Sequence, residues 1–192
     1  MSVSYSELGP REFRAAIGEL VGVYAAAMNP PERLIGGREA IMDRHAASPR
    51  FRCLTAVEDG TVAGFCYGFH GMSGQWWHDM VASALGSRAG AGAGSAEAAA
   101  WLEDSFEIAE LHVLPAYQGA GIGRTLLLSV TDERDERTAV LSTADAQTRA
   151  RRLYRGLGFT DLLTGFRFSG AEPPYAVMGA LLPLKSDRPS EA

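Results

Sequence analysis

The residues whose types and spacing could do chemistry lie in the run Leu111-His112-Val113-Leu114-Pro115-Ala116-Tyr117-Gln118-Gly119-Ala120-Gly121-Ile122-Gly123-Arg124. A strand-like stretch ends at Pro115, glycines follow at alternate positions, and Thr125-Leu126-Leu127-Leu128 opens an apolar helical pattern. A strand, a glycine turn and a helix start gather backbone N–H groups that can hold a phosphate. Glycine lets the chain approach the ligand closely, and the first N–H groups of a helix have no partner within it. A P-loop would need Gly-Lys-Ser/Thr at the helix start, but Gly123 is followed by Arg124-Thr125. A dinucleotide fingerprint would need G-x-G-x-x-G, and the spacing of Gly119, Gly121 and Gly123 does not fit.

A second segment reads Gln147-Thr148-Arg149-Ala150-Arg151-Arg152-Leu153-Tyr154-Arg155-Gly156-Leu157-Gly158-Phe159. Ala150, Leu153, Tyr154 and Leu157 recur at helical spacing, and Gly158 is placed to end the helix. Taken together, Gln118-x-x-Gly121-x-Gly123 and the later Ala-x-x-x-Tyr-x-x-x-Gly-Phe resemble the GNAT superfamily of N-acetyltransferases over residues 106–160. The first segment resembles that family's pyrophosphate-binding motif A and the second its motif B. Where the family often has Asn, this chain has Gln147.

The resemblance implies attack of an amine on the thioester of acetyl-coenzyme A. It assigns the diphosphate to Gln118, Gly119, Ala120, Gly121, Ile122, Gly123, Arg124 and Thr125, with Gln147 as a further contact. It assigns the pantetheine arm to main-chain groups of Leu111 and Val113, and the thioester oxyanion to a backbone N–H near Leu111. One such donor is typically worth about 10²–10³ in rate. Tyr154 falls at the family's motif B tyrosine, the general acid for the departing thiolate, although an aromatic at helical spacing is also an ordinary core residue. For the base, Glu110 is preferred and Glu107 comes second; a carboxylate in a partly apolar cleft is expected to have a raised pKa. On a regular strand Glu110 and His112 share one face, and Glu107, Ala109, Leu111 and Val113 the other. His70, His78 and His112 are too scattered for a metal site, and no metal is expected.

These residues must be positioned by a framework, and hydrophobic patterning supplies one. A strand is expected over Val3–Leu8, helices over Glu12–Met28 and Arg38–Ala47, and strands over Phe51–Glu58 and Thr61–His70 around Asp59-Gly60. Then come strand Phe106–Leu114, helix Gly123–Arg134, strand Thr138–Ala144, helix Thr148–Leu157, and late strands at Phe166-Arg167-Phe168 and Tyr175–Leu182. This order is α/β with a mixed sheet. The resemblance refines it to a GNAT-like, mostly antiparallel sheet flanked by helices, with a splayed parallel pair of strands holding the coenzyme. One domain is expected over residues 1–184, with a polar, disordered tail over 185–192. Residues 71–104 form an insert, a flexible Ser87–Ser95 linker beside Trp76, Trp77 and Trp101. It reads either as a disordered insertion with a short helix packing its tryptophans on the body, or as a mobile substrate wall.

The net charge of −5 argues against a general affinity for nucleic acid or anionic membrane and is compatible with a cationic amine. No apolar run reaches the roughly 18 residues of a spanning helix, and no signal-like segment is seen, so a cytoplasmic location is expected. Cys53 and Cys66 lie in apolar strand-like runs and read as buried, inert thiols. The expected partners are acetyl-CoA and an amine-bearing acceptor, with a homodimer compatible; a small-molecule primary amine is preferred over an N-terminal or lysine amine of a protein. A non-catalytic acyl-CoA-binding module is the reading from a different class.

Overall fold

A computed structural model describes residues 3–89, 100–168 and 173–185. The strands are β1 (Ser4–Leu8), β2 (Arg52–Glu58), β3 (Thr61–His70), β4 (Ser105–Val113), β5 (Thr138–Ala144), β6 (Thr160–Phe166) and β7 (Tyr175–Leu181). The helices are α1 (Pro10–Met28), α2 (Arg38–His45), α3 (Trp76–Ala89), α4 (Ile122–Thr131) and α5 (Arg149–Gly156). Hydrogen-bonded neighbours follow the order β1-β2-β3-β4-β5-β7-β6. The β4–β5 pair is parallel, and its ladder joins Ser105–Glu107 to Thr138–Val140. The fold is therefore the mixed, mostly antiparallel α/β sheet that the sequence implied. No helix of the described residues is long and apolar enough to cross a membrane.

The chain divides into two compact units, Met1–His70 with Ile108–Asp132, and Gly71–Glu107 with Glu133–Ala192. β4 runs through both. In the first unit, Phe13, Ile17, Leu20 and Val21 of α1 bury one face with Met42 of α2 and with Cys53, Phe65, Tyr67 and Phe69 of the β2–β3 hairpin. Asp59 and Gly60 turn that hairpin with φ of 49° and 78°, the left-handed pair that a tight two-residue turn requires. Both cysteines are buried and free, and burial pushes both thiols above their ordinary range.

The second unit departs from expectation in three places. The late strand is Thr160–Phe166; Arg167 and Phe168 follow it. Its register with β7 shifts between Asp161 and Leu163 and again between Leu163 and Phe166, and Gly165 has a φ of 66°. These irregularities erase the alternation by which a strand is read. The described flanks of the expected insert include a helix, α3, whose side chains pack in the second unit. Val81 and Leu85 of α3 and Leu102 pack with Val140, Leu163 and Val177. The Trp77 indole donates to the Ser142 hydroxyl at 3.1 Å. Trp101 lies so close to Gly179 that a Cβ there would come within 2.8 Å of its ring. α3 continues through Ala89, so Ser87-Arg88-Ala89 belong to a helix, and the rest of the expected linker, Gly90–Ser95, lies outside the described residues. Finally, the Lys185 N–H donates to the Leu157 carbonyl at 3.1 Å, which ties down the first residue of the expected tail. Residues 186–192 of that tail lie outside the described residues.

Candidate active site

β4 is held in the first unit by a close backbone approach. The Leu114 N–H donates to the Ala63 carbonyl at 2.8 Å. A Cβ on Gly64 would come within 2.8 Å of the His112 carbonyl oxygen and 3.0 Å of Val113 Cγ2, so this position of β3 needs a glycine. The strand thereby delivers Glu110 and His112 to one face, as the alternation implied.

Glu110 is buried, and both of its oxygens are engaged. Arg38 of α2 donates from Nη1 to Oε1 at 2.6 Å, and Oε2 meets His112 Nε2 in a very short contact. Arg38 also donates from Nη2 to the Tyr24 hydroxyl at 2.8 Å, and its guanidinium lies 4.2 Å from the centre of the Tyr24 ring. Burial alone would push the Glu110 carboxyl up. The His112 hydrogen bond and the charges of His112, Arg38 and His45 outweigh it and hold the carboxyl below its ordinary value. The raised pKa expected of the preferred base therefore does not hold for Glu110, because a hydrogen-bond donor and a part-buried cation favour its charged form. Burial would likewise lower Arg38, but the Glu110 charge and Tyr24 raise it.

Glu107, on the part of β4 in the second unit, has the opposite surroundings. It is 5% exposed, and its Oε2 has no hydrogen-bond partner among the described residues. Burial pushes its carboxyl up to about 8.

The glycine turn follows β4 in the first unit. A 3-10 turn over Pro115–Tyr117 leads into it, and the Gln118 amide donates to the Val113 carbonyl at 3.0 Å. Gly119 and Gly121 have φ of 88° and 85°. A Cβ on either would meet nothing within 4 Å, so the left-handed backbone, and not crowding, is what calls for glycine. Gly121 is the N-cap of α4, with no side-chain cap bond and no acidic residue in the first turn. The helix start thus leaves its first N–H groups without intrahelical partners at the positive end of the dipole, and its first turn carries no carboxylate. Ala120 is exposed, Ile122 buries its side chain, and Gly123, Arg124 and Thr125 complete the first turn. Leu111 and Val113 lie on β4 beyond its ladder with β5.

In the second unit, Thr148 caps α5 by accepting from the Arg151 N–H at 3.0 Å, and Gly158 follows the helix with a φ of 97°. Asp145 pairs with Arg151 and accepts from the Gly165 N–H at 2.7 Å, which fixes the approach to α5. Gln147 is exposed, with its carbonyl accepting from Arg152 at 3.3 Å. Tyr154 is buried, with its ring centre 5.8 Å from that of Phe159.

The structure therefore joins Glu110 and His112 to partners that the sequence did not single out, namely Tyr24 and Arg38. Arg38 and Glu110 are 72 positions apart, and no local pattern links them. Glu107, Gln147 and Tyr154 belong to the other unit.

Residues 20–159 match the acetyltransferase (GNAT) family, and the chain belongs to it. It is 30% identical over 209 residues to a GCN5-like protein acetyltransferase of Mycobacterium tuberculosis, an alignment covering 96% of this chain and all of that one. Its fold is similar to that of yncA, a putative acetyltransferase from Salmonella typhimurium solved with its cofactor acetyl-CoA (TM-score 0.62, 19% identity, 100% of both chains covered). It is also similar to the ribosomal-protein-S18-alanine N-acetyltransferase from Escherichia coli (TM-score 0.63, 16% identity, 98% of this chain and 99% of that one).

Proposed function

We propose that this enzyme transfers an acetyl group from acetyl-CoA to a primary amine. The observation that carries the reading is the Gly121-capped start of α4. Two left-handed glycines and a first turn without carboxylates make a cradle suited to a diphosphate. In this reading residues 118–125 grip the diphosphate, Gln147 adds a polar contact, and main-chain groups of Leu111 and Val113 align the pantetheine. A backbone N–H near Leu111 stabilises the oxyanion, and Tyr154 gives the departing thiolate its proton. Glu107 and Glu110 are the carboxylates nearest in sequence to that donor. Glu110 has both oxygens committed, and Glu107 must first lose the proton it holds below about pH 8.

A small-molecule amine is the acceptor favoured by the sequence. A protein amine is the second reading, supported by the protein acetyltransferase 30% identical over 96% of the chain. Thiol release from acetyl-CoA over polyamines, amino acids, aminoglycosides and lysine peptides separates the two. In calorimetry, Gly121→Asp is expected to abolish acetyl-CoA binding while circular dichroism stays native, because its charge opposes the phosphate. Wild-type affinity in that variant would remove the cradle from the account. Tyr154→Phe is expected to lower kcat about 10–10³-fold with acetyl-CoA affinity within a few fold. Unchanged turnover would leave Tyr154 as a core residue only.

A further inference from the structure

We infer that His112 is the proton acceptor for the amine and that Glu110 and Arg38 are its positioning residues. The inference rests on the acetyl-transfer reading and names one more residue in it. Glu110 is a poor acceptor by geometry, since one oxygen is bound by Arg38 and the other by His112. The same geometry prepares His112. Its Nε2 faces Glu110 Oε2 while Arg38 donates to Oε1, so the carboxylate accepts at both oxygens and Nε2 carries the hydrogen and donates it. A neutral imidazole with its proton on Nε2 has its lone pair on Nδ1. Nδ1 has no hydrogen-bond partner among the described residues, and the side chain keeps 10% of its surface exposed. The ring is held edge-on to Tyr24 at 5.2 Å and tilted against Phe65 at 5.5 Å, so its direction is fixed by packing as well as by the carboxylate. A carboxylate that orients an imidazole and stabilises the imidazolium it becomes is a device for general base catalysis.

The proton balance is simple. The amine arrives as an ammonium ion and gives one proton to His112 Nδ1, which passes it to solvent. The freed nitrogen lone pair forms the C–N bond at the thioester carbonyl, and the C–S bond breaks. The second proton of the attacking nitrogen ends on the departing sulfur, so the products are the amide and coenzyme A thiol. The charged and titratable groups around His112 are Glu110 on its own strand, Tyr24 of α1, Arg38 of α2, and, through the Glu110 field, His45 of α2. Tyr67 of β3 shares a hydrogen bond with His45 at 3.0 Å.

The test uses the full chain labelled with ¹⁵N-histidine, alongside thiol release with the best amine of the panel. The chain has four histidines, and His112→Asn identifies the signals of His112. In wild type, near neutral pH, they are expected to report the Nε2–H tautomer. His112→Asn is expected to lower kcat/KM for the amine about 10²-fold or more and to leave acetyl-CoA affinity within a few fold. His112→Ala is expected to regain part of that rate with added imidazole, which repacking cannot supply. An Nδ1–H tautomer of His112 in wild type, its signals assigned with whichever of His112→Asn and His112→Ala folds, overturns the proposal. So does a kcat/KM for the amine that falls in Glu107→Gln and not in His112→Asn. A wild type that binds acetyl-CoA but acetylates no amine fails the transfer reading and the base with it. A wild type matched in rate by His112→Asn fails the base alone.

Discussion

Glu107 and Glu110 lie on one strand and answer to different physics. Glu110 is buried with a guanidinium on one oxygen and an imidazole on the other, and it is held ionised. Glu107 is buried with an oxygen that has no hydrogen-bond partner among the described residues, and it is held protonated until about pH 8. Burial is nearly the same, 9% and 5% exposed, so burial does not decide the charge state. The neighbours do, and they come from elsewhere in the chain. Proximity to the reacting strand therefore does not by itself make a carboxylate a base. One of these two is fitted to orient a partner, the other to store a proton.

The comparison breaks first at Arg38. Removing Arg38 leaves the buried Glu110 charge without its guanidinium, and an uncompensated buried charge typically costs about 3–5 kcal/mol. Arg38→Met is expected to lower stability by about that much in urea unfolding at pH 7. Arg38→Met/Glu110→Gln should recover part of the loss, with a coupling on the order of 1–3 kcal/mol. Additive losses would mean that the pair is not coupled. The sign with pH follows from the depressed Glu110 carboxyl: its stabilisation is present above the ordinary carboxylate range and is lost as pH falls through the lowered one.

A somewhat smaller effect, opposite in sign, is expected at Glu107. Its folded pKa is raised, so the folded state binds more protons than the unfolded state between about 4.5 and about 8. Its contribution is therefore present at low pH and declines as pH rises through that window. Glu107→Gln should flatten the decline, gaining on the wild type by a few kcal/mol between pH 5 and pH 9. Parallel stability curves for the two proteins would place Glu107 in contact with water or a cation.

The legible and illegible parts of this chain divide along the same physical line. Local rules read well. Asp59-Gly60 turned the hairpin, Thr138–Ala144 is a strand as expected, Gly158 ends its helix, and the glycine turn opens α4. β6 did not read well, because two register shifts and a left-handed Gly165 break its alternation. The glycine and alanine content of the insert hid how far α3 runs and the packing of Val81, Leu85 and Leu102. Glu107, Glu110 and Tyr154 could be singled out as candidates from their motifs. Arg38 and Tyr24 could not, since only the folded chain brings α1 and α2 to β4, and with them came the reversal in the environment of Glu110.

The most direct measurement is a ¹³C NMR titration of the glutamate side-chain carboxyls in wild type, with Glu107→Gln and Glu110→Gln to assign the two signals. The account predicts one carboxyl titrating near pH 8, absent in Glu107→Gln, and one that stays ionised to below its ordinary value of 4.5, absent in Glu110→Gln. A Glu110 signal that titrates above 4.5, or a Glu107 signal already ionised at pH 5, would contradict it.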